Sequence, residues 1–236
     1  KMFAWEVQSE TATITMFGSI HLGRADFYPL PQGLEMAFEQ APAVAVEVDV
    51  LNPASMASVS LLMMEKGMLK DGKTLDDILP PKLKAKVLAA LGDKEGMWMV
   101  LNKFTPGLLA MTLSIQEFQA MGFSEALGLE KHFLDAARGH KEILELETME
   151  QQMALFFDLE EKLEFVFLES TIDQLDEMAS ILEQLIAAWK AGDGPALDAL
   201  MTGQVGDDPD IQAFYTMLLD DRNVGMADTI DRWLHE

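Results

Sequence analysis

AVAVEVDV, residues 43–50, is the stretch that decides the fold, because its small and β-branched residues predict a strand in a chain that is otherwise largely helical. Side chains alternate across a strand, so the four valines are predicted to share one face. The two alanines share the other face with Glu47 and Asp49 at its carboxyl end. Valines on both sides of a carboxylate indicate partial burial, and a buried acid needs a cation or hydrogen bonds.

Two further strands are predicted upstream of this stretch. Residues 3–8 and 13–17 are rich in apolar and β-branched residues and are joined by a polar turn. Residues 31–40 begin with proline and predict a short helix. Strand, helix and strand in this order predict a βαβ unit, in which strands 13–17 and 43–50 are parallel neighbours.

The rest of the chain is predicted to be mainly helical. Residues 52–140 form a helical insertion of short pieces broken by Gly and Pro, and residues 141–147 form another strand. The later helices are predicted at 148–169, 172–191, 195–202, 209–220 and 223–235. The predicted fold class is therefore α/β: one domain spanning 1–236, with a mixed central sheet, a βαβ unit, a large helical insertion and a helix-rich C-terminal half.

The composition limits the classes of partner. The 236 residues include 17 basic and 40 acidic side chains, a net charge of −23. Such a field repels phosphate backbones and anionic lipid surfaces, so no nucleic-acid partner is expected, whereas cations are compatible. No apolar run reaches the roughly 18 to 20 residues that a membrane span needs. The chain has no cysteine, which excludes disulfides, thiolate metal sites and cysteine nucleophiles.

A candidate metal site follows from GSIH, residues 18–21. His21 comes just after strand 13–17, and Glu47 lies near the end of strand 43–50, so both are expected at one sheet edge, where ligands of open α/β sheets bind. Gly18 would permit the tight turn that places the imidazole there. A shell of imidazole and carboxylate without sulfur suits Mn, Co, Fe or Zn. The alternative is structural: strand-end acids cap loops or pair with Lys or Arg, and a lone histidine is commonly structural.

Four residues are candidate accessory groups. Asp49 follows Glu47 on the same strand face. Glu147 ends strand 141–147 and would reach the same edge, or it only starts the next helix, where acids are favoured. Arg222 lies at a helix start, where a cation gains nothing from the dipole, so it would reach a carboxylate, a substrate or a plain salt bridge. Tyr28 would donate a hydrogen bond in the site or pack above its loop.

Several motifs together resemble those of the TraB/PrgY/GumN family, whose wider relatives are the TIKI metalloproteases and the erythromycin-esterase/ChaN-like superfamily. They occur in the expected order over nearly the whole chain. The matching segments are GSIHLG (18–23), DFYPLP (26–31), VEVD (46–49), GLEKHF (128–133), LELETMEQQM (144–153) and DRNVGMADTI (221–230). In GLEKHF, Glu130 stands where the family usually has Asp.

The resemblance implies a compact α/β core and, in the TIKI branch, metal-dependent peptide hydrolysis with two GxxH motifs and a glutamate. His21 matches the first GxxH histidine and Glu47 matches the glutamate. The second GxxH, expected shortly after the RNxxM segment, is absent, and His235 is no substitute because Arg232 stands three positions before it. Either a C-terminal strand is missing from this chain or the protein has lost half of its site. If the strand is missing, we expect the sheet to have an unpaired edge, which is compatible with a homo-oligomer.

The function expected from these observations is a metal-dependent, peptidase-like hydrolase acting on a peptide or small-molecule substrate, with the ion held by His21 and Glu47. The alternative is a non-catalytic protein on the same fold that binds a peptide or haem, or a regulatory protein. The chain begins with Lys1, as expected of a mature or trimmed chain, so a removed export signal would not be visible. The expected location is exported (periplasmic, lipoprotein or extracellular) rather than cytoplasmic.

Overall fold

The computed structural model describes residues 3–92, 95–203 and 209–235. The strands within these ranges are β1 (Ala4–Gln8), β2 (Thr13–Phe17), β3 (Ala43–Val46) and β4 (Glu142–Glu145). They form two small two-stranded sheets, β1 with β2 and β3 with β4, rather than one central sheet. The predicted α/β class with a helix-rich C-terminal half is confirmed.

Helices account for most of the described chain. Between β2 and β4 they are α1 (Gln32–Gln40), α2 (Pro53–Glu65), α3 (Leu75–Ile78), α4 (Pro81–Leu91), α5 (Glu95–Leu101), α6 (Pro106–Ala120) and α7 (Leu129–Ala137). After β4 they are α8 (Met149–Phe157), α9 (Glu161–Ala191), α10 (Gly194–Gly203), α11 (Pro209–Tyr215) and α12 (Asp221–His235), with a π-helical turn (Thr216–Asp220) between the last two. None of the described helices is both long and apolar enough to cross a bilayer.

The partner of β2 differs from the prediction. β2 pairs antiparallel with β1 in register from Ala4 opposite Phe17 to Gln8 opposite Thr13, so the expected parallel pairing with strand 43–50 is wrong. The backbone N–H of Ser9 donates to Ala12 O at 2.9 Å and closes the turn. Pairing β2 with its neighbour β1 closes only this short loop. Pairing β2 with β3 would close a longer loop, which costs more chain entropy.

β3 finds its parallel partner much later in the chain. It pairs with β4 from Ala43 opposite Glu142 to Val46 opposite Glu145, and the helices α2 to α7 form the connection. Val46 and Val48 are buried as the alternation predicts, but Val50 is 39% exposed because the strand ends at Val46. Because β3 and β4 are parallel, their carboxyl ends lie side by side at one edge of the sheet.

Two apolar clusters form the core, and the 31-residue helix α9 connects them. Leu168 belongs to the cluster built on α3, α4 and α6, and Ile186 belongs to the cluster built on α1, α7 and the residues after β2. The sequence prediction of a helix break at 170–171 is wrong: Thr171 is buried within α9, and the chain breaks at 158–160 instead. Serine and threonine lower helix propensity without ending a helix that is packed on both sides.

Candidate functional site

The sheet brings two glutamates to one edge. The backbone N–H of Leu146 donates to Val46 O, and that of Glu147 donates to Glu47 O, both at 2.9 Å, so the two strands stay together beyond their last paired residues. Glu47 is 28% exposed at its side chain and Glu147 is 11% exposed. Glu147 therefore reaches the edge where Glu47 lies. This is the first of the two positions considered for it, the other being a role only at the start of the next helix.

Two loops pack backbone against backbone and carry His21 to this edge. The backbone N–H of Leu129 donates to Ile20 O at 3.1 Å and that of Gly23 to Ser124 O at 3.0 Å. A Cβ atom on Gly128 would lie 2.0 Å from His21 O, and one on Gly23 would lie 1.7 Å from Leu127 O. Only glycine permits this approach, which presses the His21 loop onto the start of α7.

Gly18 has a different role from the one predicted. It is not among the glycines with positive φ, so it does not make the left-handed turn that glycine favours. Its backbone N–H donates to Phe3 O at 2.8 Å, and its carbonyl accepts a 2.9 Å hydrogen bond from Trp189 Nε1. Gly18 therefore ties the end of β2 to the hairpin and to α9, and the close approach that positions His21 occurs at Gly23 and Gly128 instead.

His21 lies between two carboxylates. Its Nδ1 is 2.5 Å from Glu130 Oε2, and its Nε2 is 3.8 Å from Glu47 Oε2. One ligand atom from each of these residues lies within 4.8 Å of the other two. The hydrogen bond with Glu130 raises the pKa of His21; burial opposes this rise, and the charges of Glu130 and Glu47 add to it. The imidazole itself is 62% exposed, so a ligand has access to it.

Glu130 is the member of this cluster that the sequence analysis did not select as a candidate. It lies in the first turn of α7 and is only 10% exposed at its side chain. Glu130 begins a helix and does not end a strand, so the expectation that ligands lie at the ends of strands did not include it. The signal was nevertheless present, because Glu130 occupies the acidic position of the GLEKHF segment that carries part of the family resemblance.

Arg222 joins the two strand-end glutamates. Its Nη2 donates to Glu47 Oε2 at 2.7 Å and to Glu147 Oε2 at 2.6 Å, and its Nε donates to Glu147 Oε1 at 3.0 Å. Gln152 Nε2 donates to the same Glu47 and Glu147 oxygens, at 3.0 Å each. Burial raises the pKa of Glu147, but the hydrogen bonds from Arg222 and Gln152 outweigh it, so the pKa lies below its usual value.

The cluster keeps an excess of negative charge that suits a cation. Arg222 pairs with the carboxylates of Glu47 and Glu147, and His21 pairs with that of Glu130. Three carboxylates and one guanidinium leave two negative charges when His21 is neutral and one when it is protonated. The described hydrogen bonds to the Glu47 carboxylate both end on Oε2, which leaves Oε1 for a ligand. Imidazole and carboxylate donors in this arrangement fit a divalent metal ion.

Two of the predicted accessory residues lie outside this cluster. Asp49 is buried and accepts two hydrogen bonds from Arg138, from Nη1 at 2.9 Å and from Nη2 at 2.7 Å. It thus pairs with an arginine, as the structural alternative for strand-end acids stated. Tyr28 donates through its hydroxyl to Leu127 O at 3.0 Å and packs its ring against His132. Tyr28 thus supports the loop that leads to Glu130, and Asp49 fixes the chain after β3.

The remaining histidines have other partners or positions. His132 Nε2 lies 3.1 Å from Glu35 Oε1, and His235 Nδ1 lies 2.8 Å from Asp231 O. His140 lies in the turn between α7 and β4. Among the described residues, the group of three side chains with metal-ligand spacing therefore contains a single imidazole, that of His21.

Comparison with known sequences gives a consistent family match. The sequence model of the TraB/PrgY/gumN family matches residues 3–236. The chain is 24% identical over 217 residues to "Uncharacterized protein YbaP" of Escherichia coli K12, an alignment that covers 91% of this chain and 76% of the relative. The protein of the same name from Shigella flexneri matches to the same extent. No solved structure matches the chain.

Proposed function

The chain belongs to the TraB/PrgY/gumN family, and from this membership and the site geometry we propose that it is a metal-dependent hydrolase acting on peptides. The observation that carries the proposal is the convergence of His21, Glu47 and Glu130, whose ligand atoms lie within 4.8 Å of one another. His21 and Glu47 hold the ion in this proposal. In this proposal they are also the catalytic residues, and their side chains are 62% and 28% exposed, respectively.

Glu130 and Arg222 are the positioning residues of this proposal. The short contact of Glu130 with Nδ1 favours the tautomer that carries its proton on that nitrogen, which leaves the Nε2 lone pair directed toward Glu47. Arg222 holds Glu47 against Glu147 and thereby fixes the second ligand. When bound, a divalent ion would lower the pKa of a water molecule and polarise the substrate carbonyl.

The decisive experiment measures metal content and peptide turnover together. Wild type, His21→Ala and Glu47→Gln are purified with Mn²⁺, Co²⁺, Fe²⁺ or Zn²⁺ and examined by mass spectrometry for metal and with a fluorogenic peptide library for hydrolysis. We expect both substitutions to reduce metal content and to abolish turnover. The melting temperature of His21→Ala should stay within about 2 °C of wild type, because an exposed loop residue contributes little to the core.

His132→Ala is the matched control, because His132 also pairs with a glutamate but lies outside the cluster. It should retain metal and activity. Equal metal content and equal turnover in wild type and His21→Ala would refute the proposal. Metal uptake without hydrolysis of any peptide would favour the alternative, a non-catalytic binding protein on the same fold.

A further inference from the structure

A groove of about 380 Å³ lies beside the acidic cluster. Its walls come from the residues after β4, from α8, from the π-helical turn and from α12. Leu146, Leu155, Met217 and Met226 supply its apolar lining. The volume falls in the range of small-molecule sites in proteins, roughly 300–1,000 Å³. None of the contacts that position His21 uses these four side chains, so the groove needs an explanation of its own.

The groove shares two side chains with the acidic cluster at the proposed metal site. Glu147 and Arg222 line it, and the same Arg222 donates to Glu47 Oε2 at 2.7 Å. Glu47 Oε2 is in turn 3.8 Å from His21 Nε2. A chain bound along the groove would therefore pass from the apolar walls to the proposed ligands across a single pair of side chains, Glu147 and Arg222.

Gly225 keeps the groove open. It lies within α12, three residues after Arg222, and lines the groove. Glycine inside a helix destabilises it relative to alanine. A Cβ atom on Gly225 would meet nothing within 4 Å, so no close packing requires glycine here. The missing side chain instead leaves free space above the helix, between Arg222 and Met226.

We propose that this groove binds an aliphatic side chain of the peptide substrate, next to the bond that is hydrolysed; this inference rests on the proposed function. Leucine and methionine walls favour an apolar occupant, and methionine adapts its shape to side chains of different branching. Glu147 and Asp221 line the groove together with Arg222, whose guanidinium is already paired with Glu47 and Glu147, so the lining carries an excess of negative charge. An acidic side chain is therefore disfavoured, and the substrate class is a peptide with a neutral aliphatic residue at this position.

The test measures binding and needs neither metal nor turnover. Three blocked tripeptides serve as probes, acetyl-Gly-Leu-Gly-amide, acetyl-Gly-Asp-Gly-amide and acetyl-Gly-Gly-Gly-amide. They are titrated into protein whose methionine methyl groups carry ¹³C, and the resonances of Met217 and Met226 are followed by NMR. We expect the leucine probe to shift both resonances and to bind about tenfold more tightly than the glycine probe, the discrimination typical of an apolar pocket. The aspartate probe should bind no more tightly than the glycine probe.

Gly225→Leu should fill the groove and weaken binding of the leucine probe about tenfold or more, because its side chain enters the space that the probe needs. Gly33→Leu is the matched control: Gly33 is also a helical glycine with open space above it, but it lies in α1. It should leave probe affinity unchanged. Melting curves of both variants show whether the fold is retained.

Equal affinity for the three probes, no detectable binding, or unchanged binding in a folded Gly225→Leu protein would overturn the inference. Failure of the proposed function has a different signature. In that case His21→Ala would leave metal content and turnover unchanged, while the leucine probe would still bind in wild type and not in Gly225→Leu.

Discussion

The two ring nitrogens of His21 have different surroundings, and this asymmetry defines what the residue can do. Nδ1 is in contact with the nearly buried carboxylate of Glu130, whereas Nε2 faces Glu47 across 3.8 Å. A carboxylate on one nitrogen orients the ring and increases the basicity of the other nitrogen. The side chain is therefore held in one orientation, with Nε2 facing Glu47, rather than rotating freely at the surface.

Replacing Glu130 with glutamine should lower the pKa of His21. The hydrogen bond that His21 Nδ1 donates to Glu130 is the largest cause of the raised pKa, and a neutral amide supports the protonated imidazole less well. The measurement is an NMR titration of the His21 ring signals in both proteins. Glu35→Gln, which removes the partner of His132 instead, should leave the His21 titration unchanged. An unaltered His21 pKa in Glu130→Gln would contradict the positioning role.

Asp49 and Glu47 both follow the short strand β3, but their side chains have different partners. Asp49→Ala should lower the free energy of unfolding by about 1–3 kcal/mol, because the buried carboxylate accepts hydrogen bonds from Arg138 and from the backbone N–H of Leu51. Urea denaturation gives the stability, and mass spectrometry should show metal content equal to that of wild type. A stable Asp49→Ala protein that has lost its metal would instead place Asp49 in the site.

At the scale of elements, the site depends on the contact between the loop after β2 and the loop before α7. Both loops donate and accept backbone hydrogen bonds, and Gly23 and Gly128 bring them closer than any side chain allows. The sheet of β3 and β4 supplies Glu47 and Glu147, and α12 supplies the arginine that joins them. Four separate segments therefore have to dock before the ligand set exists.

Gly128→Ala should disturb this docking. Its Cβ atom would lie 2.0 Å from His21 O, so the loops must separate, and a loss of about 1–3 kcal/mol in the free energy of unfolding is expected for such overpacking. Metal affinity should fall as well, because His21 and Glu130 lie on opposite sides of the displaced contact. Gly33→Ala is the control, since its Cβ atom would meet nothing within 4 Å and its helix gains propensity. Equal stability of wild type and Gly128→Ala would show that the loops do not need this approach.

At the scale of the whole molecule, pH should act on stability through Glu164, which lies on α9 beside the start of α6. Burial raises its pKa from 4.5 to about 7, against the hydrogen bonds from Thr105 and Gly107. The folded protein therefore holds this proton more tightly than the unfolded chain. Stability is greatest below pH 4.5 for this group and falls as pH rises to about 7, by at most about 3 kcal/mol.

Glu164→Gln should remove that part of the pH dependence. The net charge of −23 also destabilises the fold at higher pH through self-repulsion, but added salt screens exposed charges far more than a buried carboxyl group. The comparison is therefore made in 0.5 M NaCl, from urea denaturation of both proteins between pH 4.5 and pH 7.5. The same pH dependence in both would contradict the assignment to Glu164.

Most elements follow from local pattern, and the sequence determined them by itself. The alternating valines of residues 43–50, the proline that starts α1 and the glycine after α9 each act over a few residues, so strand and helix positions were predicted closely. The strand-end position of Glu47, the loop position of His21 and the unusual placement of Arg222 at a helix start are local features as well. The family resemblance follows from the same short segments in order.

The tertiary structure alone decided which of these segments meet. β3 pairs with β4 across the helices α2 to α7 rather than with β2, and Asp49 turns to Arg138 rather than to His21. Glu130 reaches His21 from a helix start, not from a strand end. These pairings join residues about a hundred positions apart in the sequence. They depend on burial and hydrogen bonding across the whole molecule, so no local sequence pattern identifies the partner. The sequence thus determined the candidate residues other than Glu130, and long-range packing determined which side chains lie together.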